Sequence, residues 1–223
     1  MGIVSVQGVS KLYGSAREQV VALDNVSTGI NHGEFVAIMG PSGSGKTTLL
    51  STLGGINPPT TGKIIIDGIN CYDLSSEKLA DFRRERIGFV FQQLHLLPYL
   101  TAVENVMLPL VISKQLGSRW ELALKALAAV GLEDKPYRLP DQLSFGEQAR
   151  VGIARALVNA PLILLADEPT GNLDSKTSQD VTRLFNSLNE QGHTLIMVTH
   201  NMETARAAQR IIYIRDGRIV GEG

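Results

Sequence analysis

The chain has 223 residues, 43% of them hydrophobic, enough for one domain with a full core and an embedded subdomain. A formal net charge of −1 gives no basic excess, so nucleic acid is not the expected partner. The single cysteine, Cys71, excludes an intrachain disulfide and suits a reducing compartment. Met1 to Val6 lacks the basic region and apolar core of a signal peptide, and no apolar run approaches the roughly 20 residues that span a bilayer. Any membrane association is therefore expected to go through a partner.

Residues 3 to 38 read as short strands with an exposed polar insert at Gly14 to Gln19, the last of them the apolar run Phe35 to Met39. Gly40-Pro41-Ser42-Gly43-Ser44-Gly45-Lys46-Thr47 follows and leads into a helical Thr48 to Leu53, the strand–loop–helix context a P-loop requires. Its glycines let several backbone N–H groups converge as an anion nest at a helix N-terminus. Lys46 then reaches β- and γ-phosphate oxygens, and the Thr47 hydroxyl is placed for Mg²⁺. A plain Gly/Ser-rich turn would share the composition but not both flanks.

Pro58 to Gly62 reads as a loop, Ile64 to Ile66 as a strand entering an Asp67-Gly68 turn, and residues 87–91 as a further strand. From about residue 94 to 159 strand signals vanish. There Ser118-Arg119-Trp120-Glu121 forms a capping box, Trp120, Ala123, Leu124, Leu127 and Val130 follow at helical spacing, and Gly131 ends the helix. Leu162 to Glu168 is a buried-strand run ending in two acids, where a wound α/β sheet places its ligand crevice. Adjacent carboxylates repel unless their roles differ. At a P-loop site Asp167 would hold Mg²⁺ through a water while Glu168 activates the attacking water; the plain alternative is a solvated acidic turn closed by Pro169. A strand at 194–198 and a hairpin, Ile211 to Arg215 and Arg218 to Val220 around Asp216-Gly217, complete the chain. Strands at 35–39, 87–91, 162–166 and 194–198 alternate with helices and predict a mainly parallel wound core, with the N-terminal strands and the last hairpin in a separate β-rich layer.

With these motifs in place the whole chain resembles the ATPase subunits of the ATP-binding-cassette (ABC) family, most closely those paired with lipoprotein-release, macrolide-export and cell-division permeases. Gly33 to Ile38, Ile87 to Gln92, Leu96-Leu97-Pro98, Leu143 to Gln148 and Ala166 to Asp174 carry the likeness. The resemblance implies an α/β P-loop NTPase fold with a RecA-like core, an N-terminal antiparallel β subdomain, and a helical signature subdomain at about 94–159 of a single 1–223 ATP-binding domain. It implies ATP and Mg²⁺ as ligands, with phosphates on Gly40, Pro41, Ser42, Gly43, Ser44, Gly45, Lys46, Thr47 and Thr48, adenine stacked on Tyr13, and metal contacts from Thr47, Gln92 and Asp167. Glu168, His200 and Lys46 would act in hydrolysis, His200 on the γ-phosphate, while Asp174 would lie in a loop crossing a dimer interface.

Ser144 and Gly146 match a signature that serves the nucleotide of a second copy, so an ATP-dependent dimer is implied. The signature departs from L-S-G-G-Q at Phe145, which limits backbone bending, and at Glu147, which puts a negative charge near a negative ligand. Ser144 and Glu147 also form an S-x-x-E capping box for a helix through Arg150 and Ile153, and both readings can hold. The resemblance implies a subunit at the cytoplasmic face of the cell membrane that drives an integral-membrane permease exporting or extracting a hydrophobic substrate. The apolar stretch Leu94 to Leu100 is the expected docking surface for that permease. A regulatory ATPase signalling through a permease-like partner, and a soluble ATPase of a non-transport complex, are the alternatives.

Overall fold

The computed structural model describes residues 2–15, 18–111 and 118–223; Met1, positions 16 and 17 of the expected polar insert, and 112–117 of the expected helical region lie outside the described residues. Residues 3 to 31, expected as short strands, instead lie in two strands of 14 residues, β1 (Gly2–Ser15) and β2 (Glu18–Asn31), paired antiparallel. Register shifts between Val6 and Val9, and again before Lys11 and Leu12, break the alternation that marks one long strand in a sequence. Side chains repair the ladder at these bulges: Ser27 Oγ accepts from Gly8 N at 2.9 Å, and Ser10 Oγ from Asn25 N at 3.0 Å. After β3 (Phe35–Met39) and α1 (Lys46–Leu53), β4 (Thr61–Ile66) and β5 (Ile69–Asn70) complete an antiparallel sheet of order β2-β1-β4-β5. Asp67 and Gly68 turn its last hairpin at φ 51° and 75°, the left-handed pair a two-residue turn needs.

Beyond α2 (Ser76–Arg86), β6 (Ile87–Val90), β7 (Ile163–Asp167), β8 (Thr194–Val198) and β9 (Arg210–Arg215) join β3 in a parallel array, and β10 (Arg218–Glu222) adds an antiparallel edge. The order is β10-β9-β3-β8-β7-β6. The final hairpin, expected in the β-rich layer, thus belongs to the core sheet, where Val36 to Met39 pair with Arg210 to Tyr213. Its turn is local and legible; its partner strand is far upstream.

Both faces of this sheet are covered, so its strands are apolar throughout rather than alternating. Ile163, Leu165, Ile196 and Val198 face Leu49, Leu50 and Leu53 of α1 and the apolar residues of the antiparallel sheet. Their neighbours Leu164, Ala166, Leu195 and Met197 face the opposite core, which holds Val103 and Val106 of α3 (Ala102–Met107), Leu127 of α4 (Arg119–Ala129), Val151 and Ile153 of α5 (Phe145–Leu157), and Phe185 and Leu188 of α6 (Ser175–Glu190). Each such side chain contributes about 1.5–3 kcal/mol on burial. Ser118 caps α4 by accepting from Glu121 N, and Gly131, at φ 71°, follows that helix, as the sequence pattern predicts. No helix among the described residues is long and apolar enough to cross a membrane.

Candidate nucleotide site

The loop before α1 is bent by Gly43 and Gly45, at φ 75° and 102°. Only glycine fits at 45: besides the left-handed backbone, a Cβ there would stand 2.3 Å from Ala22 O on β2. The loop is also stitched to the β9–β10 turn, since Gly217 N donates to Ser44 O at 3.0 Å and Asp24 N to Gly217 O at 2.8 Å. These constraints fix a helix N-terminus whose free N–H groups and dipole favour an anion. Lys46 is 7% exposed, and its Nζ donates to the Gly40 and Pro41 carbonyls at 2.9 and 2.8 Å, which holds the ammonium over the loop. Pro41, Ser42 and Gly43 form the exposed rim, and Thr48 is half-buried in the first turn. Among the described residues Ser44 Oγ is buried without a hydrogen-bond partner, a polar atom whose burial a phosphate oxygen would justify.

Thr47 Oγ1 donates to Asp167 Oδ1 at 3.1 Å, joining the start of α1 to the end of β7. Burial pushes the Asp167 carboxyl above the usual aspartate range and the Glu168 charge adds to this, while the Thr47 hydroxyl and the Lys46 ammonium oppose it. A divalent cation placed here would reverse that balance. A hydroxyl and a carboxylate are hard oxygen donors, and Mg²⁺ takes its remaining ligands from phosphates and water. The described residues offer no group of three or more His, Cys, Asp or Glu that could hold a metal alone. The donor set therefore fits Mg²⁺ arriving with nucleotide phosphates.

Glu168 stands in the left-handed region at φ 44°, and its N–H donates to Val198 O at 2.9 Å. Such a conformation costs a non-glycine residue of order 1–3 kcal/mol and persists only where its surroundings impose it. Its effect is to turn two adjacent carboxylates apart: Asp167 meets Thr47, while Glu168 Oε2 lies 2.9 Å from His200 Nδ1 beyond the end of β8. Gln92 joins this corner. A Cβ on Gly171 would stand 3.3 Å from Glu168 Oε2 and 3.6 Å from Gln92 Nε2.

The structure thus gathers the P-loop, Asp167, Glu168, His200 and Gln92, whereas Tyr13, Ser144 and Gly146 have other neighbours. Tyr13 on β1 pairs with Val20, two residues from the Ala22 carbonyl that presses on Gly45. Its hydroxyl is hydrogen-bonded to the Asn57 amide, and the Lys11 ammonium lies 5.1 Å from its ring centroid. Ser144 caps α5: its Oγ accepts from Glu147 N at 3.3 Å, and Glu147 Oε2 accepts from Ser144 N at 2.9 Å. Glu147 Oε1 accepts from Lys135 Nζ. That bond above all, then the Ser144 N–H, holds the Glu147 carboxyl below the usual range. The negative charge that the sequence places near a partner's nucleotide is thus paired with the Lys135 ammonium in the folded chain. Gly146 is buried where a Cβ would meet Thr177 Cγ2 at 2.4 Å, and Thr177 is in turn held by Asp174, the cap of α6. Sequence reasoning missed Lys135 and Thr177, whose pairings follow no local period.

The expected apolar docking stretch divides in two: Leu94 and Leu96 pack on the helical core, while Leu97 and Tyr99 are 47% and 91% exposed.

A phosphate nest facing a carboxylate pair is common to many P-loop nucleoside triphosphatases. The antiparallel sheet beside the wound core, and a helical insertion whose last helix starts at a serine cap, narrow the class to ABC ATPases. Comparison agrees: the model of the ABC transporter family matches residues 23–171, and the chain belongs to that family, as an ATP-binding subunit with ATPase activity. It is 48% identical to the ABC transporter ATP-binding protein MJ0796 of Methanocaldococcus jannaschii, over 99% of this chain and 96% of that protein. It is 46% identical to the macrolide export ATP-binding/permease protein MacB of Escherichia coli over 99% of this chain, which spans only 34% of MacB. A structure of MJ0796, described as a dimeric post-hydrolysis state bound to ADP and Pi, superposes with a TM-score of 0.90 at 47% identity, covering 99% of this chain and 97% of that one.

Proposed function

We propose that the chain hydrolyses Mg-ATP at its own P-loop within a face-to-face dimer, and that closure and reopening of this dimer drive a membrane permease. The separation of Asp167 from Glu168 by the left-handed turn carries this reading, for it gives one acid to the metal and the other to the attacking water. Lys46 and the nest of residues 40–48 would neutralise the phosphates, and Thr47, Gln92 and, through a water, Asp167 would hold Mg²⁺. Mg²⁺, when bound, draws charge from the β- and γ-phosphates. Glu168 orients and deprotonates water, and His200, 2.9 Å away, keeps its carboxylate in place and reaches the γ-phosphate. Tyr13 supports adenine with its ring.

Ser144 and Gly146, on a rigid capped helix, serve the second copy's γ-phosphate. The dimeric MJ0796 structure and the fusion of cassette and permease named in MacB support a dimer and a membrane partner for this chain. Leu97 and Tyr99, exposed a few residues beyond Gln92, are the apolar surface on which a permease helix would rest, at the cytoplasmic face of the membrane, with residues of about 94–159 moving as the helical subdomain. A hydrophobic exported substrate fits the MacB likeness.

The test is Glu168→Gln, which preserves shape and hydrogen bonding. Turnover should fall by about 10²–10⁴-fold, the range typical of a general base. ATP should still bind, and an ATP-dependent dimer should appear in light scattering. A variant that hydrolyses normally, or stays monomeric at saturating ATP with and without its permease, refutes the assignment.

A further inference from the structure

Tyr13 is 41% exposed near the end of β1, yet its side chain is gripped at two points. The Asn57 amide donates from Nδ2 to the hydroxyl oxygen, and the Lys11 ammonium sits over the ring. Both groups are themselves anchored. Lys11 Nζ donates to Pro58 O at 2.6 Å, which keeps the cation at the ring rather than out in solvent. Ile56 N and Asn57 N donate to Ser51 O at 3.0 and 3.3 Å, and the Tyr72 hydroxyl, shared between Thr52 O at 2.7 Å and Asn57 O at 3.0 Å, holds the same stretch. Thr60 closes the loop onto β1: its N–H donates to Ser10 O at 2.8 Å, and its Oγ1 accepts from Leu12 N at 3.0 Å. Residues 57–60 thus form a clamp for the end of β1.

The clamp is built on the same helix as the phosphate nest. Ser51 and Thr52 belong to the last turn of α1, Lys46 and Thr47 to its first. Eight residues of helix span about 12 Å, and Leu49, Leu50 and Leu53 bury this one in the core, so its two ends are held at a fixed separation. A tyrosine near a hairpin end would otherwise exchange between rotamers, and a stacking partner would have to order it. With its hydroxyl bonded and a cation on one face, the ring offers its other face to a flat partner.

We infer that Asn57 and Lys11 are positioning residues for the nucleobase, holding the Tyr13 ring in one orientation so that adenine meets an ordered surface. The inference rests on the proposed role of Tyr13 beneath adenine. Its consequence is that base and phosphates are placed relative to each other by the two ends of α1. The clamp then contributes to nucleotide affinity and not to the rate of hydrolysis, because neither Asn57 nor Lys11 approaches the reacting phosphate.

The experiment uses the full chain and its Y13A, Y13F, N57A, K11A, K11R and N57A/Y13F variants. Steady-state hydrolysis gives KM and kcat for Mg-ATP, and Mg-tripolyphosphate, which can fill a phosphate nest without a base, is titrated as a competitive inhibitor. N57A and K11A should each raise KM by about 2- to 10-fold, the range set by ordering one side chain, with kcat and the tripolyphosphate inhibition constant unchanged. Y13F, which keeps the ring but removes the oxygen that Asn57 binds, should match N57A, and N57A/Y13F should be no weaker than either. K11R, which keeps a cation for the ring, should recover most of the K11A loss, and Y13F carries the test where N57A does not fold. If tripolyphosphate weakens in step with ATP, the two residues support the loop rather than the ring, and the inference falls alone. Wild-type KM in both N57A and Y13F overturns it in the same way. If Y13A leaves KM unchanged, adenine does not rest on Tyr13, and the role of Tyr13 falls together with the inference.

Discussion

Gly146→Ala separates two roles that the signature glycine could play. A Cβ there would meet Thr177 Cγ2 at 2.4 Å, about 1 Å inside the ordinary limit for two carbons, at the seam of α5 and α6. Thr177 cannot swing away freely, because its N–H and hydroxyl are both bound by Asp174 at the cap of α6. Overpacking of this kind costs about 1–3 kcal/mol, and alanine recovers at most about 1 kcal/mol of helix propensity over glycine. From the middle of that overpacking range, about 2 kcal/mol, the net loss is about 1–2 kcal/mol, which in a chain of this size lowers Tm by roughly 2–8 °C. Differential scanning calorimetry reads this directly. The decisive variant is Gly146→Ala with Thr177→Ser, which removes the clashing methyl but keeps the hydroxyl bond to Asp174; it should regain most of the lost Tm. If Gly146→Ala melts like the wild type, or Thr177→Ser gives no rescue, the glycine does not act through packing and is reserved for the nucleotide of the partner.

Lys46→Ala should abolish phosphate release and weaken ATP binding in a chain that still folds, since the cation above Gly40 and Pro41 is lost; unchanged turnover would remove the P-loop assignment. Glu147, whose carboxyl is held low chiefly by Lys135, contributes stability that is present above its unfolded pKa of about 4.3 and lost as pH falls through the lower folded value. Thermal melts of Glu147→Gln should therefore lie below the wild type above about pH 5 and converge with it toward about pH 3; parallel curves would show the ion pair to be idle. Tyr99→Cys and Leu97→Cys should cross-link to a cytoplasmic permease helix in membranes with ATP-dependent efficiency, and Leu94→Cys, packed on the helical core, should not.

What the sequence discloses is mostly what lies close along the chain. The P-loop, the acids ending β7 and the Ser118 and Ser144 caps each depend on neighbours within a few residues, so their residue types sit at fixed spacing. The length of β1 and β2 was hidden because bulges break the period-two pattern and put Ser10 and Ser27 in the ladder's service. The placement of β9 beside β3 was hidden because parallel pairing is specified by a distant strand, while the hairpin turn that did show said only that β9 meets β10. Of the site, the sequence shows Glu147 as a helix cap and as a negative charge near a negative ligand. Its ion-pair partner Lys135 lies twelve positions earlier and off any helical repeat, and only the folded chain brings the two together.

The neighbours of β3 set an order of events during synthesis. β3 carries the P-loop at its end, yet it is flanked by β8 and β9, and the loop itself is tied through Ser44 and Gly217 to a turn near the end of the chain. Those elements leave the ribosome about 170 residues after β3, a wait of roughly 10–30 s at ordinary elongation rates of about 5–20 residues per second. Throughout that interval the glycine-rich loop lacks the neighbouring strands and the turn that hold it in the folded chain. A ligand that binds only the assembled site would therefore stabilise the chain only once synthesis has passed Gly217.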